Sequence, residues 1–280
     1  MCCFIQAHAQ TGYEAPIVFD QFFQNYNLLN PASSDSSGKA HLRIGNRSLI
    51  GLFSGVNRLY VDGDVKIKHR SLNQYSSLGA LVIAYNDGAF ISRTKAYVSY
   101  SWTTRISSRS SVSAGLAIGV VKYTLLGSEA GGGGASTAFD GNAGLWYIRS
   151  KLKIGVSYQQ FTRSALTPVN QTFLLIPYLN VNVIYASYIS PYVLLTTHVF
   201  YRHQSMNVSE FQLAPIFLFN DVFETGINFR YKRGVALMVG IKNINIGQGN
   251  IHFMGSFLLS TRKLSNNLDN AFELSASYTF

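Results

Sequence analysis

From Gly38 onward, large apolar residues alternate with polar ones. Leu59, Val61, Val65 and Ile67 fall on one side of a strand, and Tyr60, Asp62, Asp64, Lys66 and Lys68 on the other. A period of two sends successive side chains to opposite faces. Four ionisable residues share one face here, and they cannot meet hydrocarbon, where a charge at the midplane costs about 2–4 kcal/mol. Leu152, Ile154, Val156 and Tyr158 alternate in the same way with Lys151, Lys153, Ser157 and Gln159, and Phe223, Ile227, Phe229 and Tyr231 oppose Glu224, Asn228 and Arg230. The chain stops on such a strand, with Phe272, Leu274, Ala276, Tyr278 and Phe280 opposite Glu273, Ser275, Ser277 and Thr279.

About fourteen segments carry the pattern: 38–46, 57–68, 76–86, 93–103, 110–122, 138–148, 151–160, 172–187, 192–202, 208–219, 222–231, 235–245, 251–261 and 270–280. With both termini in the periplasm, the odd connections face outward and include 47–56, 123–137, 161–171 and 262–269, while the even ones include the tight turns Arg149-Ser150 and Asn220-Asp221. Longer outer loops and short inner turns are the asymmetry of bacterial barrels. The predicted fold is all-β: a transmembrane antiparallel β-barrel of the bacterial outer membrane, preceded by a short non-barrel segment. A soluble β-sandwich also alternates, but composition opposes it. Charged residues are 13%, against roughly 25% in soluble domains. The longest stretch without Asp, Glu, Lys or Arg, Ser164 to Tyr201, is punctuated by Pro168, Pro177 and Pro191 and carries Asn170, Gln171, Asn180 and Asn182, which opposes a membrane helix. A chain that enters lipid without apolar helices closes its backbone hydrogen bonds between strands, and only a barrel leaves no edge.

Three regions follow: residues 1–9 as the remnant of an export signal, 10–37 as a periplasmic amino-terminal segment and 38–280 as the barrel. Ala7-His8-Ala9 before Gln10 has the small-x-small form of a signal-peptidase site. Cys2 and Cys3, the only cysteines, lie within that signal, so the mature chain carries neither a disulfide nor a thiolate metal site. A lipid-modified Cys3 is the rival reading. Residues 13–38 do not alternate, and their Asn30-Pro31 step predicts a turn. The segment is expected to pack its aromatics against the barrel base; the alternative is that it plugs the lumen or meets a partner.

The run from Phe22 to Asn30-Pro31-Ala32 resembles the opening of the PorP/SprF family of Bacteroidetes outer-membrane proteins, associated with the type IX secretion system. Arg43-Ile44-Gly45-Asn46-Arg47 is similar to that family's basic, amide-containing step, Gly79 to Asp87 to its Gly-rich strand ending in Asn-Asp, and the aromatic carboxyl-terminal strand is shared. Where the family usually places an aromatic after the basic step, this chain has Leu49 and Ile50. The resemblance implies a noncatalytic, cofactor-free barrel that docks or anchors secreted proteins with C-terminal sorting domains, or gliding adhesins, and couples the translocon to its periplasmic ring. It marks Asn25, Asn30, Pro31, Ala32 and Arg47 as candidate partner contacts, and Tyr278 and Phe280 as the barrel-assembly signal. The expected partners are secretion-system subunits, their cargo and outer-membrane lipid. The other functional class is a passive channel or hydrophobic-solute transporter, which the same frame permits; an occluded lumen is the expectation.

Little catalytic chemistry is visible. The mature histidines, His41, His69, His198, His203 and His252, are scattered, and only His198, His203, Ser209 and Glu210 offer a loose constellation without a nucleophile motif. Four glycines, Gly131 to Gly134, signify backbone freedom; no Gly-Lys-Ser or Gly-Lys-Thr follows to make a phosphate loop. Three glycosylation sequons, at Asn46, Asn170 and Asn207, are chance matches in a bacterial barrel. The net charge of +10 gathers near the connections, as in Lys68-His69-Arg70, Arg149 to Lys153, Lys232-Arg233 and Arg262-Lys263, which suits a solvated rim or anionic headgroups and not nucleic acid.

Overall fold

The computed structural model describes residues 12–13, 19–33, 38–51, 54–69, 73–127, 132–169, 172–204, 208–261, 263–264 and 267–280. The export-signal reading of residues 1–9, with Cys2 and Cys3, lies outside them. Fourteen antiparallel strands form one closed barrel. They are β1 (Ala40–Leu49), β2 (Val56–Lys68), β3 (Gln74–Asp87), β4 (Ile91–Ser107), β5 (Ser110–Leu125), β6 (Gly134–Arg149), β7 (Leu152–Gln159), β8 (Tyr178–Ser190), β9 (Val193–Gln204), β10 (Val208–Phe219), β11 (Phe223–Arg230), β12 (Gly234–Ile246), β13 (Gly249–Ser260) and β14 (Ala271–Thr279). Each pairs with its sequence neighbours, and β14 closes the ring on β1 from Ala271 opposite Leu49 to Thr279 opposite His41.

Alternation sorts side chains as a membrane barrel requires. On β1, Leu42 and Ile44 are exposed to the surroundings, while His41, Arg43 and Arg47 are buried inside. On β2, Val61 and Val65 face out, while Tyr60, Asp62 and Asp64 face in. The core of this molecule is therefore its lumen, and its apolar residues coat the outside. No helix among the described residues is long and apolar enough to cross a membrane. The barrel needs none, because every strand meets two neighbours and no edge is left in lipid.

Connections follow the expected asymmetry. Residues 108–109, 150–151, 191–192 and 247–248 join strands at one end, whereas 126–133, 160–177 and 261–270 join them at the other. The short-turn end is periplasmic by this rule, and both barrel termini lie there. Asn220 and Asp221, read as a tight turn, have φ of 49° and 59°, consecutive positive values of the kind a type I′ hairpin uses and that Asn and Asp tolerate. Exposed aromatics gather near the same end, among them Trp102, Tyr188, Tyr192, Phe223 and Phe280, as in an interfacial girdle.

One strand starts later than its pattern suggests. The eighth was expected from residue 172, yet β8 begins at Tyr178. Phe173–Leu174 pair instead with Ala165–Leu166 inside the long 160–177 connection, and Pro177, which has no N–H to donate, precedes the first ladder residue. Pro215 has a milder effect within β10. Between the pairs Leu213 with Phe229 and Ile216 with Gly226, the β10–β11 ladder lapses without changing register.

The lipid face makes a direct prediction. Val98 lies mid-strand on β4 and is exposed. Val98→Lys is expected to destabilise the barrel by about 2–4 kcal/mol in urea unfolding from lipid vesicles, and Tyr192→Lys at the rim by about 0–1 kcal/mol. Equal costs at the two sites would contradict this placement of the bilayer.

Candidate functional site

The amino-terminal segment does not rest below the barrel as expected: residues 19–33 run inside the lumen. The wall explains why, since its buried charges and amides find their partners on this segment. Two 3-10 turns, Phe22–Gln24 and Tyr26–Leu28, compact it. Between them the extended Asn25 accepts the Asn27 N–H on its side-chain oxygen at 3.1 Å. The Asn-Pro step then makes the predicted turn, in which the Asn30 side chain accepts the Ala32 N–H at 2.9 Å.

At its outer end Asp20, fully buried, sits between two guanidiniums. Arg47 of β1 donates from Nε at 3.0 Å, and Arg230 of β11 donates to the other carboxylate oxygen. The backbone N–H groups of Asp20 and Gln21 donate to the two oxygens of Glu273 on β14 at 2.7 and 2.9 Å. Asn228 donates to the Asp20 carbonyl at 2.7 Å. From Arg230 the network passes to Glu210 at 2.7 Å and from Glu210 toward Arg202 at 3.7 Å. Arg202 holds the Asn180 side-chain oxygen at 3.0 Å, and Asn180 donates to the Leu29 carbonyl at 3.0 Å. The network thus begins and ends on the plug.

Asn30-Pro31-Ala32 fills a notch made by missing side chains. A Cβ on Gly144 of β6 would strike the Asn30 amide, one on Gly155 of β7 would meet the Trp146 ring and Asn30, and one on Gly115 of β5 would strike the Pro31 backbone. Within the notch the Asn30 amide donates to the carbonyls of Leu145 and Val156 at 3.0 and 3.2 Å. Ser157 and Gln159 both donate to the Leu29 carbonyl. Aromatics complete the seal: Phe23 stacks on His198 with centroids 4.7 Å apart, Phe22 packs on Phe200, and Tyr26 on Trp146. The Tyr26 hydroxyl is hydrogen-bonded with His198 Nδ1 at 2.7 Å.

Above the plug, the 160–177 connection folds inward over the outer mouth. Leu166 and Leu175 are buried against Val121 and Tyr123, and Phe173 stacks on Tyr123 at 4.6 Å. Gly12–Tyr13 pair in parallel with Phe173–Leu174. Gly12–Tyr13 thus lie at the outer mouth and residues 19–33 inside the lumen, and Lys39 lies at the periplasmic end, where its N–H donates to the Phe280 carbonyl at 2.8 Å.

The candidate contact residues converge here. Asn25, Asn30, Pro31, Ala32 and Arg47 are all buried within the barrel, where Asn30, Pro31 and Arg47 join plug to wall. Tyr278 and Phe280 lie on the outer face, their rings edge to face at 4.5 Å. Sequence reading missed Asp20, Glu273, Glu210 and the glycine notch. A lone acid in an aromatic run, and a lone acid on the polar face of the last strand, were the available signals. The loose histidine constellation is not assembled: His203 meets Ser209 at 3.4 Å on the exterior, whereas His198 and Glu210 are committed to the lumen. Of the glycine run, Gly131 lies outside the described residues, and Gly134 opens β6.

A protein-family model for the type IX secretion system membrane protein PorP/SprF matches residues 11–278. The chain belongs to this family. Membership makes it a noncatalytic, multi-pass β-barrel protein of the outer membrane, serving transport or translocation across it. No curated protein matches the chain. Among solved structures it is similar in fold to the Ralstonia pickettii toluene transporter TbuX, with 13% identity, TM-score 0.55, and 96% of this chain and 94% of that one covered. The P. putida toluene transporter TodX gives 10%, 0.53, 96% and 95%. A Pseudomonas aeruginosa FadL homologue gives 11%, 0.53, 90% and 93%.

Removing the plug's anchor should release the plug before the barrel. Asp20→Ala removes the buried carboxylate that Arg47 and Arg230 share, leaving Arg230 with Glu210 and Arg47 3.8 Å from Glu273; breaking a buried ion pair in this way costs about 3–5 kcal/mol. Hydrogen exchange of amides in residues 22–29 is expected to accelerate, with strand amides little changed. Acid should act on the same contact. Burial raises the Asp20 carboxyl, but Arg47 and Arg230 outweigh it and hold it below its ordinary 3.8. This contribution is full above pH 3.8 and disappears as pH falls through the lowered value, so exchange in the plug should stay slow at pH 5 and rise only in stronger acid. The placement of Gly12–Tyr13 has its own test. An epitope inserted between Gly12 and Tyr13 should be bound by antibody on intact cells, and one inserted at the periplasmic turn 191–192 should not.

Proposed function

We propose that this barrel serves the type IX secretion system as a closed docking subunit, which holds secreted C-terminal-domain proteins or adhesins at the outer membrane and couples them to the translocon, and does not itself conduct. The observation that carries this reading is the continuity of the plug with the wall. Residues 19–33 bond or pack against β1, β2, β6, β7, β8, β9, β11, β13 and β14, so the plug is held from most of the circumference of the lumen. A closed barrel whose interior is committed to its own chain offers its two ends for partners.

A second reading, passage of a small hydrophobic molecule, is favoured by the fold it shares with transporters described as carrying toluene. The constriction beside the upper part of the plug argues against it. The space between Phe19 and the wall residues Leu81, Ile83, Tyr85 and Tyr97, which Asp62 and Lys95 also line, holds 40 Å³, while an apolar cavity that binds benzene is about 150 Å³. Passage would require the plug to move.

Planar-bilayer recording separates the two. The intact chain is expected to show no steady conductance, and a chain lacking residues 19–33 to show open-channel steps. In parallel, cells without the chain should accumulate C-terminal-domain cargo behind the outer membrane. Steady conductance or toluene flux from the intact chain, with cargo export unaffected by its loss, would overturn the docking reading.

A further inference from the structure

Beneath the plug, at the periplasmic end, the lumen is not filled. A cavity of 310 Å³ lies there, bounded above by Phe23 and Tyr26 and around its sides by the lower halves of the strands. Its depth is apolar and aromatic: Trp146, Ile184, Ile216 and Leu218 are buried side chains that turn toward it. Its lip is cationic. Lys153 belongs to the inward-facing set of β7 with Gly155, Ser157 and Gln159, and Lys151 stands at the 150–151 turn below it. Lys242 approaches from β12 on the other side. Among the described residues the ammonium groups of Lys151 and Lys153 have no ion-pair or hydrogen-bond partner, whereas Lys242, half-exposed, reaches Glu224 at 3.3 Å. Glu224 is shared with His252 at 2.7 Å, and Arg43 is already committed to Asp62 and Asp64.

Around the plug's outer end, the buried cations are matched: Asp20 and Glu210 serve Arg47, Arg230 and Arg202. Around this lower opening, three lysines ring an apolar hollow with a single shared carboxylate among them. We infer that the periplasmic vestibule is a binding site for an acidic peptide segment, which seats one or two aliphatic or aromatic side chains against Trp146, Ile184 and Leu218 while its carboxylates lie among Lys151, Lys153 and Lys242. The volume is at the lower end of ligand pockets, about 300–1,000 Å³, which suits side chains inserted from a longer chain that stays outside. A lipid fits poorly, because the opening faces the aqueous end of the lumen, and acyl chains would have to leave the bilayer and pass a ring of ammonium groups. Charge complementarity at such a focused opening also speeds encounter and makes binding salt-sensitive.

The inference rests on the docking reading for its meaning, and it is tested apart from it. The full chain in detergent micelles is titrated against a fluorescein-labelled, aspartate-rich peptide with a central Phe-Leu pair, read by anisotropy. Binding is expected for this peptide and not for its asparagine counterpart, and it should weaken at least about tenfold, roughly 1.4 kcal/mol, in Lys153→Gln/Lys242→Gln. Ile184→Trp, which fills the hollow and leaves every charge in place, should weaken it comparably, and Arg163→Gln on the outer connection should leave it unchanged. Strand hydrogen exchange confirms that each variant is folded. Absence of binding, equal binding of the asparagine peptide, indifference to both vestibule variants, or displacement by short-chain phosphatidylglycerol would overturn the proposal. A failed titration with a silent bilayer recording and cargo still dependent on the chain leaves the docking reading standing and moves its partner elsewhere.

Discussion

Asp20 stands where two arginines of the wall would otherwise confront each other. Arg47 and Arg230 come from strands on opposite sides of the barrel's closing seam, and both reach the same carboxylate. Transferring such groups out of water costs several kcal/mol per ion, so the arrangement is a weak source of net stability and a strong source of position. Any other register of the plug takes from Arg47 and Arg230 the carboxylate they share, leaving Glu273 and Glu210 alone to balance them. The interior of this barrel is thus complementary to one stretch of its own chain, and the remaining contacts, amide to carbonyl and ring to ring, are made because Asp20 sets that register.

The same seam joins plug and barrel in folding. Strand β14 closes the ring on β1, and its Glu273 accepts from the backbone of Asp20 and Gln21, more than two hundred and fifty residues away in sequence. Closure of so long a loop is entropically slow relative to the neighbouring hairpins. Glu273 enters a sealed interior with its oxygens satisfied only if the plug is already within reach. Barrel seam and plug are therefore joined at the last strand.

Much of this frame was legible in the alternation. The polar faces of the second, seventh and eleventh strands and the aromatic carboxyl terminus have the inward and outward sides expected of them, because membrane and lumen reward opposite side chains at every step. The start of β8 was misjudged, since Phe173 and Leu174 look like a continuing strand but serve the inward-folded connection. For residues 19–33 the sequence favoured packing against the barrel base over plugging the lumen, and the structure takes the second. A segment without period two advertises no partner, and its anchors are single residues, Asp20 against arginines distant in sequence and Asn30 in a notch made of absent side chains. Glycines such as Gly144 read as breaks in a pattern when in three dimensions they are the receptor for a motif.

Kinship of frame with the toluene transporters and kinship of sequence with the type IX secretion family point to different functions, and the frame alone cannot choose between them, because strand number and closure constrain diameter more than chemistry. What differs between barrels of one frame is the filling. Here the filling consists of charged and amide contacts distributed around the circumference, with a space beside its upper part too small for a benzene ring. A path for hydrophobic solutes is continuous, apolar and weakly bound; this interior is polar and specifically paired around the plug. The periplasmic vestibule is open, and its lysine-ringed lip is suited to an anionic chain held from below more than to a neutral solute in transit.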